Sequence, residues 1–360
     1  MKIFLISNMF PSTKDPLFGV FVKNFKDELE KNNVLFEPIS LIKGLAGKPI
    51  KKVFNYSIHY FNILIGIFKK FDLVYVHYVS HHIPILFLLL PFKRKPWVMN
   101  AHGTDIIDLQ KNKYLNIFAE KVLKKTDLLV VPTSYFKSKV LQSYSFLEEQ
   151  DVFVSPSGGI DSTKFFMKEK DADISKLHLG FVSRFIEEKG WKTFLDALLG
   201  LKEKRVPFVA SIAGKGPDEQ KILNTIKQYG LEEDVQFLGL VPQDKLVDIY
   251  NEIDLYVFPT YREAESLGLT GLEAMACGTP VIACNIAGPA TYIQSHKNGF
   301  LFEPKNSEAL IESIIQYQRL QPEQKDKFKL EALNTSKNFR KDIVAQKLLK
   351  RLTEVMRKQD

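Results

Sequence analysis

Cysteine is nearly absent from this chain: Cys277 and Cys284 are the only two in 360 residues. So small a supply excludes a disulfide-stapled fold and suits a reducing, cytoplasmic setting. Nothing in the sequence pairs either thiol with a histidine, so a thiol nucleophile is not expected. Long apolar runs are also missing. No stretch approaches the ~18 consecutive apolar residues of a membrane-crossing helix. The opening Met1–Ile6 is apolar but meets Ser7, Asn8 and Pro11 at once, which reads as a first strand and not a signal peptide. There is no low-complexity tract and no recognised nucleic-acid-reading motif, so nucleic acid is not an expected partner.

Enough apolar residues are present (45%, against 26% charged) to build a packed core, and the length suits two domains. Charge is unevenly shared. Residues 1–165 hold 22 Lys/Arg against 14 Asp/Glu, whereas residues 166–360 hold 28 of each, so the whole net charge of +8 belongs to the first part. Basic clusters stand at Lys48–Lys52, Lys69-Lys70, Lys93-Arg94-Lys95 and Lys121 with Lys124-Lys125. Such a surface suits anionic lipid head groups or a pyrophosphate-bearing substrate. For any one cluster, scattered solubilising lysines explain the pattern equally well.

Strands and helices alternate in both halves. In the first, apolar runs at 2–7, 34–39, 73–77, 97–101, 128–131 and 152–155 read as strands, and 20–31, 54–69, 114–124 and 135–143 as helices. The second half starts again with strands at 177–182, 207–213, 235–238, 255–258 and 280–283. The expected fold class is α/β: two successive parallel sheets covered by helices, with ligands held by loops at the strands' carboxyl ends. The expected domains are 1–165 and 166–340, joined by a Lys- and Asp-rich linker at 163–176.

The sequence is organised around Glu265-Ser266-Leu267-Gly268-Leu269-Thr270-Gly271-Leu272-Glu273, continuing to Pro280. A strand stops at Pro259, and 266–277 suits a helix closed by Gly278. Glu265 then sits in the loop above a strand end and Glu273 inside the helix. The helix opening offers backbone N–H groups at the positive end of a dipole, a natural seat for phosphate. Two glutamates at that spacing, taken alone, favour the plainer reading of an amphipathic helix with a solvated carboxylate at each end. Upstream, Arg184 and Lys189 flank the opening of a helix at 191–202, and Gly214-Lys215-Gly216-Pro217 lies between a strand and a helix. Two cations beside a helix N-terminus can clamp a diphosphate. In the first half, Gly19 precedes a helical pattern, His77, His81 and His82 crowd a strand end, and His102-Gly103-Thr104-Asp105 follows another strand. The three histidines lack a cysteine or carboxylate at useful spacing, so no metal site is expected there. The apolar 83–90 run reads as a buried helix.

These strings together resemble the retaining nucleotide-sugar glycosyltransferases of family 4. The Glu265–Glu273 pair followed by EAMACGTPVI resembles their E-x7-E element, and Arg184 with Lys189 their G-R-x-x-x-x-K-G, with Ser183 for the first glycine. His102–Asp105 resembles HG-x-D, Gly214–Pro217 resembles G-x-G-P, and 154–161 resembles P-N-G-(I/V)-D with Ser157 and an additional glycine. Ala287 and Thr291 depart from the Gly-Gly and Glu that many relatives carry. The resemblance implies the GT-B architecture, two facing Rossmann-like domains with the site in the cleft between them, and a C-terminal helix at 340–360 returning to the first. It implies catalytic roles for His102, Glu265, Arg184 and Lys189. It implies donor contacts from Gly19, Gly214, Gly216, Ser266, Leu267, Gly268, Leu269 and Glu273, the last toward the ribose. Asp105 would orient its loop or hydrogen-bond a sugar or acceptor hydroxyl. No metal cofactor is expected if the two cations carry the phosphate charge.

The expected function is therefore transfer of a hexosyl-type group from a nucleotide diphosphate-sugar to a glycan or polyprenyl-pyrophosphate-linked acceptor, with retention, in bacterial surface-polysaccharide synthesis. The expected location is cytoplasmic, with peripheral attachment to the anionic inner face of the cell membrane. Two alternatives stay open: a nucleotide-sugar epimerase of the same architecture, and a non-catalytic nucleotide-sugar-binding scaffold.

Overall fold

Six short apolar strands carry the first half: β1 (Lys2–Phe10), β2 (Leu35–Lys43), β3 (Leu73–His77), β4 (Trp97–Asn100), β5 (Leu128–Val131) and β6 (Val152–Val154). The structure, a computed structural model, describes residues 1–16, 18–45, 47–169 and 176–358. β3, β4 and β5 are buried throughout, as the middle of a parallel sheet covered on both faces must be. The strands pair in parallel in the order β2-β1-β3-β4-β5-β6. The helices are α1 (Val20–Glu30), α2 (Pro49–Gly66), α3 (Ile83–Leu89), α4 (Thr104–Lys111), α5 (Lys113–Leu123) and α6 (Ser134–Ser143).

The second half repeats the plan with β7 (Leu177–Val182), β8 (Phe208–Ala213), β9 (Val235–Gly239), β10 (Leu255–Phe258), β11 (Val281–Cys284) and β12 (Gly299–Phe302). Its order is β12-β11-β10-β7-β8-β9, again parallel. The helices are α7 (Trp191–Glu203), α8 (Glu219–Gln228), α9 (Leu246–Glu252), α10 (Leu269–Ala276), α11 (Ser307–Gln318) and α12 (Pro322–Lys337). The chain builds β8 and β9 on one side of β7, then returns to build β10, β11 and β12 on the other. The loops leaving β7 and β10 start on either side of that reversal, at the carboxyl ends of the strands, where sheets of this kind bind their ligands. In the first sheet the reversal lies between β1 and β3.

Two compact units result: residues 1–159 with 341–360, and residues 160–340. The last helix, α13 (Lys341–Arg357), is part of the first unit. Its buried Ala345, Leu348, Leu352 and Val355 repeat at helical spacing and share a core with Phe25 and Leu29 of α1.

The boundary falls at 159/160 rather than 165/166 because Ile160 donates its N–H to Phe339 O (2.8 Å) and Phe165 is buried against Tyr250. Much of the expected linker is therefore packed chain: Lys168 N–H donates to Asn251 Oδ1 at 2.6 Å. Residues 170–175 of that segment lie outside the described residues. Three helices differ from expectation, α4 at Thr104–Lys111 being one that was not expected at all. α2 starts at Pro49, whose fixed φ suits a first turn. α10 starts only at Leu269, because Gly268 ahead of it is left-handed (φ 77°).

Candidate active site

Two loops frame the reversal point of the second sheet, 183–190 after β7 and 259–268 after β10. They touch because Gly190, at φ 77°, has no side chain: a Cβ there would lie 2.0 Å from Pro259 O. The loop after β8 joins them in the same way. A Cβ on Gly214 would lie 1.8 Å from Ser183 O, and one on Gly216 2.3 Å from Phe185 O. Phe185 N–H then donates to Lys215 O at 3.0 Å. Both glycines thus seat the loop that carries Arg184.

Lys189 Nζ lies 2.5 Å from Glu265 Oε2, with both side chains largely buried (15% and 10% exposed), and 5.6 Å from the centre of the Phe258 ring. Thr260 Oγ1–H reaches the same carboxylate oxygen at 3.3 Å, and Gly288 N–H donates to Glu265 O at 3.2 Å. Lys189 and Glu265, expected in the site in separate roles, are therefore brought together across 76 residues of sequence. Arg184 is exposed and has no ion-pair partner among the described residues. Its guanidinium is an unspent cation beside the crevice.

The start of α10 is held in place by two phenols. Tyr292 Oη–H donates to Gly268 O (3.0 Å), and the Tyr256 hydroxyl sits 2.7 Å from Val182 O and 2.9 Å from Thr270 Oγ1. Leu267 is core, with 1% exposure, so a ligand at this turn meets its backbone only. Ser266 and Leu269 are half-buried, and the helix mouth they flank can accept an anion on its N–H groups. Glu273, one turn in, is 7% exposed. Tyr250 Oη–H donates to its Oε2 at 3.3 Å, and burial pushes its carboxyl up to about 7, offset in part by hydrogen bonds from Tyr250 and Gln243. A carboxylate buried to this degree costs stability when ionised, and Lys164 offsets only part of that cost. Such a shifted carboxyl makes Glu273 a candidate for a ligand contact.

In the first unit the strand ends present histidines. His102 Nε2 and His77 Nδ1 are 3.0 Å apart, and the rings stack at 5.2 Å. His77 Nε2 is buried without a hydrogen-bond partner among the described residues. A lone pair is cheaper to strand there than an N–H. The favoured tautomer therefore protonates His77 at Nδ1, makes His102 Nε2 the acceptor, and leaves His102 Nδ1–H as a donor. Burial holds His102 down at about 3, so it is neutral at pH 7.

Asp105 is fully buried, and its oxygens accept from His102 N–H (2.8 Å), Val79 N–H (2.9 Å) and Ile106 N–H (3.1 Å). Of the two roles expected for it, loop orientation fits and an acceptor contact does not. Burial raises its carboxyl to about 6 against these hydrogen bonds. Gly19 (φ 68°) precedes α1 and lies against Met9: a Cβ there would come within 2.5 Å of Met9 C. It positions the loop after β1. At the reversal of this sheet a pocket of about 280 Å³ is lined by Asn8, Met9, Ile42, Lys52, Tyr56 and Tyr78, among others.

Residues 162–334 match the family model described as glycosyl transferases group 1. The second unit carries a group 1 glycosyltransferase domain. The chain is similar to an uncharacterized glycosyltransferase, MJ1069, of Methanocaldococcus jannaschii, with 25% identity over 83% of this chain and 79% of that one. It is also similar to the putative colanic acid biosynthesis glycosyltransferase WcaL of Escherichia coli, with 27% identity over 61% of this chain and only 54% of WcaL. Anabaena HepE, solved with UDP and glucose, superimposes with a TM-score of 0.75 at 18% identity, covering 98% of this chain and 100% of that one. The fold is GT-B.

Several supports of the glycosyltransferase domain escaped sequence reasoning. Thr260, Tyr256 and Tyr292 read as ordinary strand and loop residues; only their hydroxyls, each finding a partner beside Glu265 or Gly268, mark them. Asp171-Ala172-Asp173 is an Asp-x-Asp string, a spacing able to serve a divalent cation, and it too was passed over; it lies outside the described residues. Among the described residues no three His, Cys, Asp or Glu side chains converge on a metal position. The histidines grouped by sequence separate: His77 pairs with His102, while His82 Nε2 lies 2.9 Å from His59 Nε2.

Proposed function

We propose that the protein is a retaining glycosyltransferase of family 4 that moves a hexosyl-type group from a nucleotide diphosphate-sugar to a glycan or polyprenyl-pyrophosphate-linked acceptor. The observation that carries this reading is the Lys189–Glu265 pair, with exposed Arg184 nearby on the same loop as Lys189, at the reversal point of the second sheet. In the reaction the anomeric carbon–oxygen bond to the diphosphate breaks and a bond to the acceptor oxygen forms on the same face. The acceptor's proton passes to the departing phosphate. Negative charge grows on that phosphate, and Arg184, Lys189 and the N–H groups opening α10 stabilise it. Glu265 takes sugar hydroxyls through the oxygen that Lys189 leaves free, and Glu273 takes the ribose hydroxyls. His102 offers a neutral N–H to a sugar hydroxyl. Metal-independent chemistry is part of the proposal, since two protein cations can balance the diphosphate.

The setting proposed is surface-polysaccharide synthesis in the cytoplasm, in line with the putative colanic acid biosynthesis role of WcaL. A uridine nucleotide is the first donor to try, because HepE is solved with UDP. The test incubates purified protein with a panel of nucleotide sugars, with and without polyprenyl-pyrophosphate-linked glycans. Nucleoside diphosphate released only with acceptor supports the transferase. Donor conversion without acceptor would mean an epimerase, and binding without turnover a scaffold; either result overturns the proposal. Adding and chelating Mg2+ or Mn2+ in the same assay tests the metal-independent step.

A further inference from the structure

The outward face of α2 is apolar where a water-facing helix should be polar. Ile50, Phe54, Ile58, Phe61, Ile65 and Phe68 follow one another at steps of three or four residues, which is one stripe of a helix and the turn after it. All six are exposed, from 85% at Ile50 to 45% at Ile58. The opposite face, with His59, Ile63 and Gly66, is the one packed into the unit; Gly66 sits so close to Phe4 that a Cβ would meet its ring at 2.3 Å. The inverted pattern therefore does not come from a misplaced helix: its inner face already has its core. Phe92 carries the patch onward, with its ring 5.5 Å from that of Phe68.

Charge says what covers the stripe. From Glu37 to Asp72 there is no acidic residue, while lysines stand at 43, 48, 51, 52, 69 and 70. Lys48, Lys51 and Lys52 lie at the start of α2, Lys69 and Lys70 just past its end, and all are exposed. An apolar stripe bracketed by cations, with no acidic residue on the helix itself, complements a surface that is oily inside and anionic outside. We propose that α2 lies in the plane of an anionic lipid bilayer, with this stripe among the acyl chains and the lysines at the head groups. No helix among the described residues is long and apolar enough to cross a membrane, so attachment here is to one leaflet. The pocket at the reversal of the first sheet is lined by Lys52, Asn55 and Tyr56 of the same helix. A lipid-linked acceptor would therefore meet the pocket without leaving the membrane.

This inference goes beyond the donor chemistry, and its test reads no turnover. Full-length protein is floated with vesicles of phosphatidylglycerol and phosphatidylcholine, and with phosphatidylcholine alone, at low and high salt. The protein should rise with the anionic vesicles at low salt and lose most of that binding in 0.5 M salt. Changing Ile58, Phe61 and Ile65 together to serine, all at exposed positions, should weaken binding at least tenfold with an unchanged circular dichroism spectrum. Changing Lys51, Lys69 and Lys70 to glutamine should cost roughly fivefold per lysine, since each is worth about one factor of that size near an anionic surface. No flotation of the wild type, or undiminished flotation of the serine variant, overturns the proposal. So does light scattering that shows a dimer for the wild type and a monomer for the serine variant, since the stripe would then be a contact between copies.

Discussion

The two units share an architecture and divide their chemistry. In the second, the strand ends carry cations and carboxylates, and the exterior is ordinary: among the described residues it exposes five large apolar side chains. The first exposes 16, carries histidines at its strand ends, and holds the whole excess of positive charge. Both sheets reverse direction once, yet the reversal holds an ion pair in one and a pocket in the other. The crevice is what the fold provides, and the side chains at the strand ends decide what enters it.

The widest test of that division removes the cations of the second unit. Lys189→Ala should lower kcat at least a hundredfold, as losing one transition-state donor costs roughly 2.7–4 kcal/mol. It should also lower Tm, because Glu265 is left largely buried without its counter-ion. Arg184→Ala separates the two effects: its exposed side chain supports no ion pair among the described residues, so kcat should fall while Tm stays. A near-wild-type rate in both variants would put the diphosphate elsewhere.

Glu273 comes next, and its effect depends on pH. Its carboxyl titrates near 7 in the fold against 4.5 when free. The folded state therefore binds this proton more tightly than the unfolded state does. The penalty for ionising it is absent below about pH 4.5, grows as pH rises, and is complete above about 7. Glu273→Gln should stabilise the protein by up to about 3 kcal/mol at pH 8, some 6–12 °C in Tm, and much less at pH 4.5. It should raise the donor KM at the same time. Equal melting curves for the two proteins across that range would show that the carboxylate is not buried at a cost.

How much of this could be read beforehand follows the same division. In the second unit the motif residues are close in sequence to the strand ends that position them, so Arg184, Lys189, Glu265 and the glycines were legible. The contact between Lys189 and Glu265 was not, because it spans 76 residues and depends on a parallel sheet bringing β7 beside β10. In the first unit periodicity found α2 but not its orientation. An apolar stripe reads the same in sequence whether it faces a core or the solvent, and only the packed His59–Ile63–Gly66 face tells them apart. Asp105 was ambiguous for a related reason: a carboxylate after a strand looks available until three backbone N–H groups are seen to occupy it.

His102 is the first unit's counterpart to these charges, and the smaller effect expected of it sharpens the contrast. In the proposed mechanism it is a neutral donor, so His102→Ala should cost about two- to tenfold in kcat, the worth of one ordinary hydrogen bond. Its ring titrates near 3, so kcat/KM should show no histidine inflection between pH 5 and 8. An inflection near 6.5 that disappears in His102→Ala would mean that the imidazole is charged in the working enzyme and that the tautomer argument fails.

The smallest effect tests backbone strain beside Glu265. Ala287 sits at φ 54°, a left-handed conformation that costs an L-residue roughly 1–2 kcal/mol. The chain needs that turn because Gly288, next to it, passes within hydrogen-bond reach of Glu265 O, with no room for a Cβ beside Ser266 O (2.4 Å). Ala287→Gly relieves the strain but gives up about 0.5–1 kcal/mol to the greater freedom of glycine in the unfolded chain. It also gives up the packing of a methyl that is only 2% exposed. The terms nearly cancel, leaving a gain of no more than about 0.5 kcal/mol, or about 1–2 °C in Tm. Chemical denaturation resolves the sign. A clear loss of stability would mean that the buried methyl outweighs the turn, and that Ala287 holds this loop by packing.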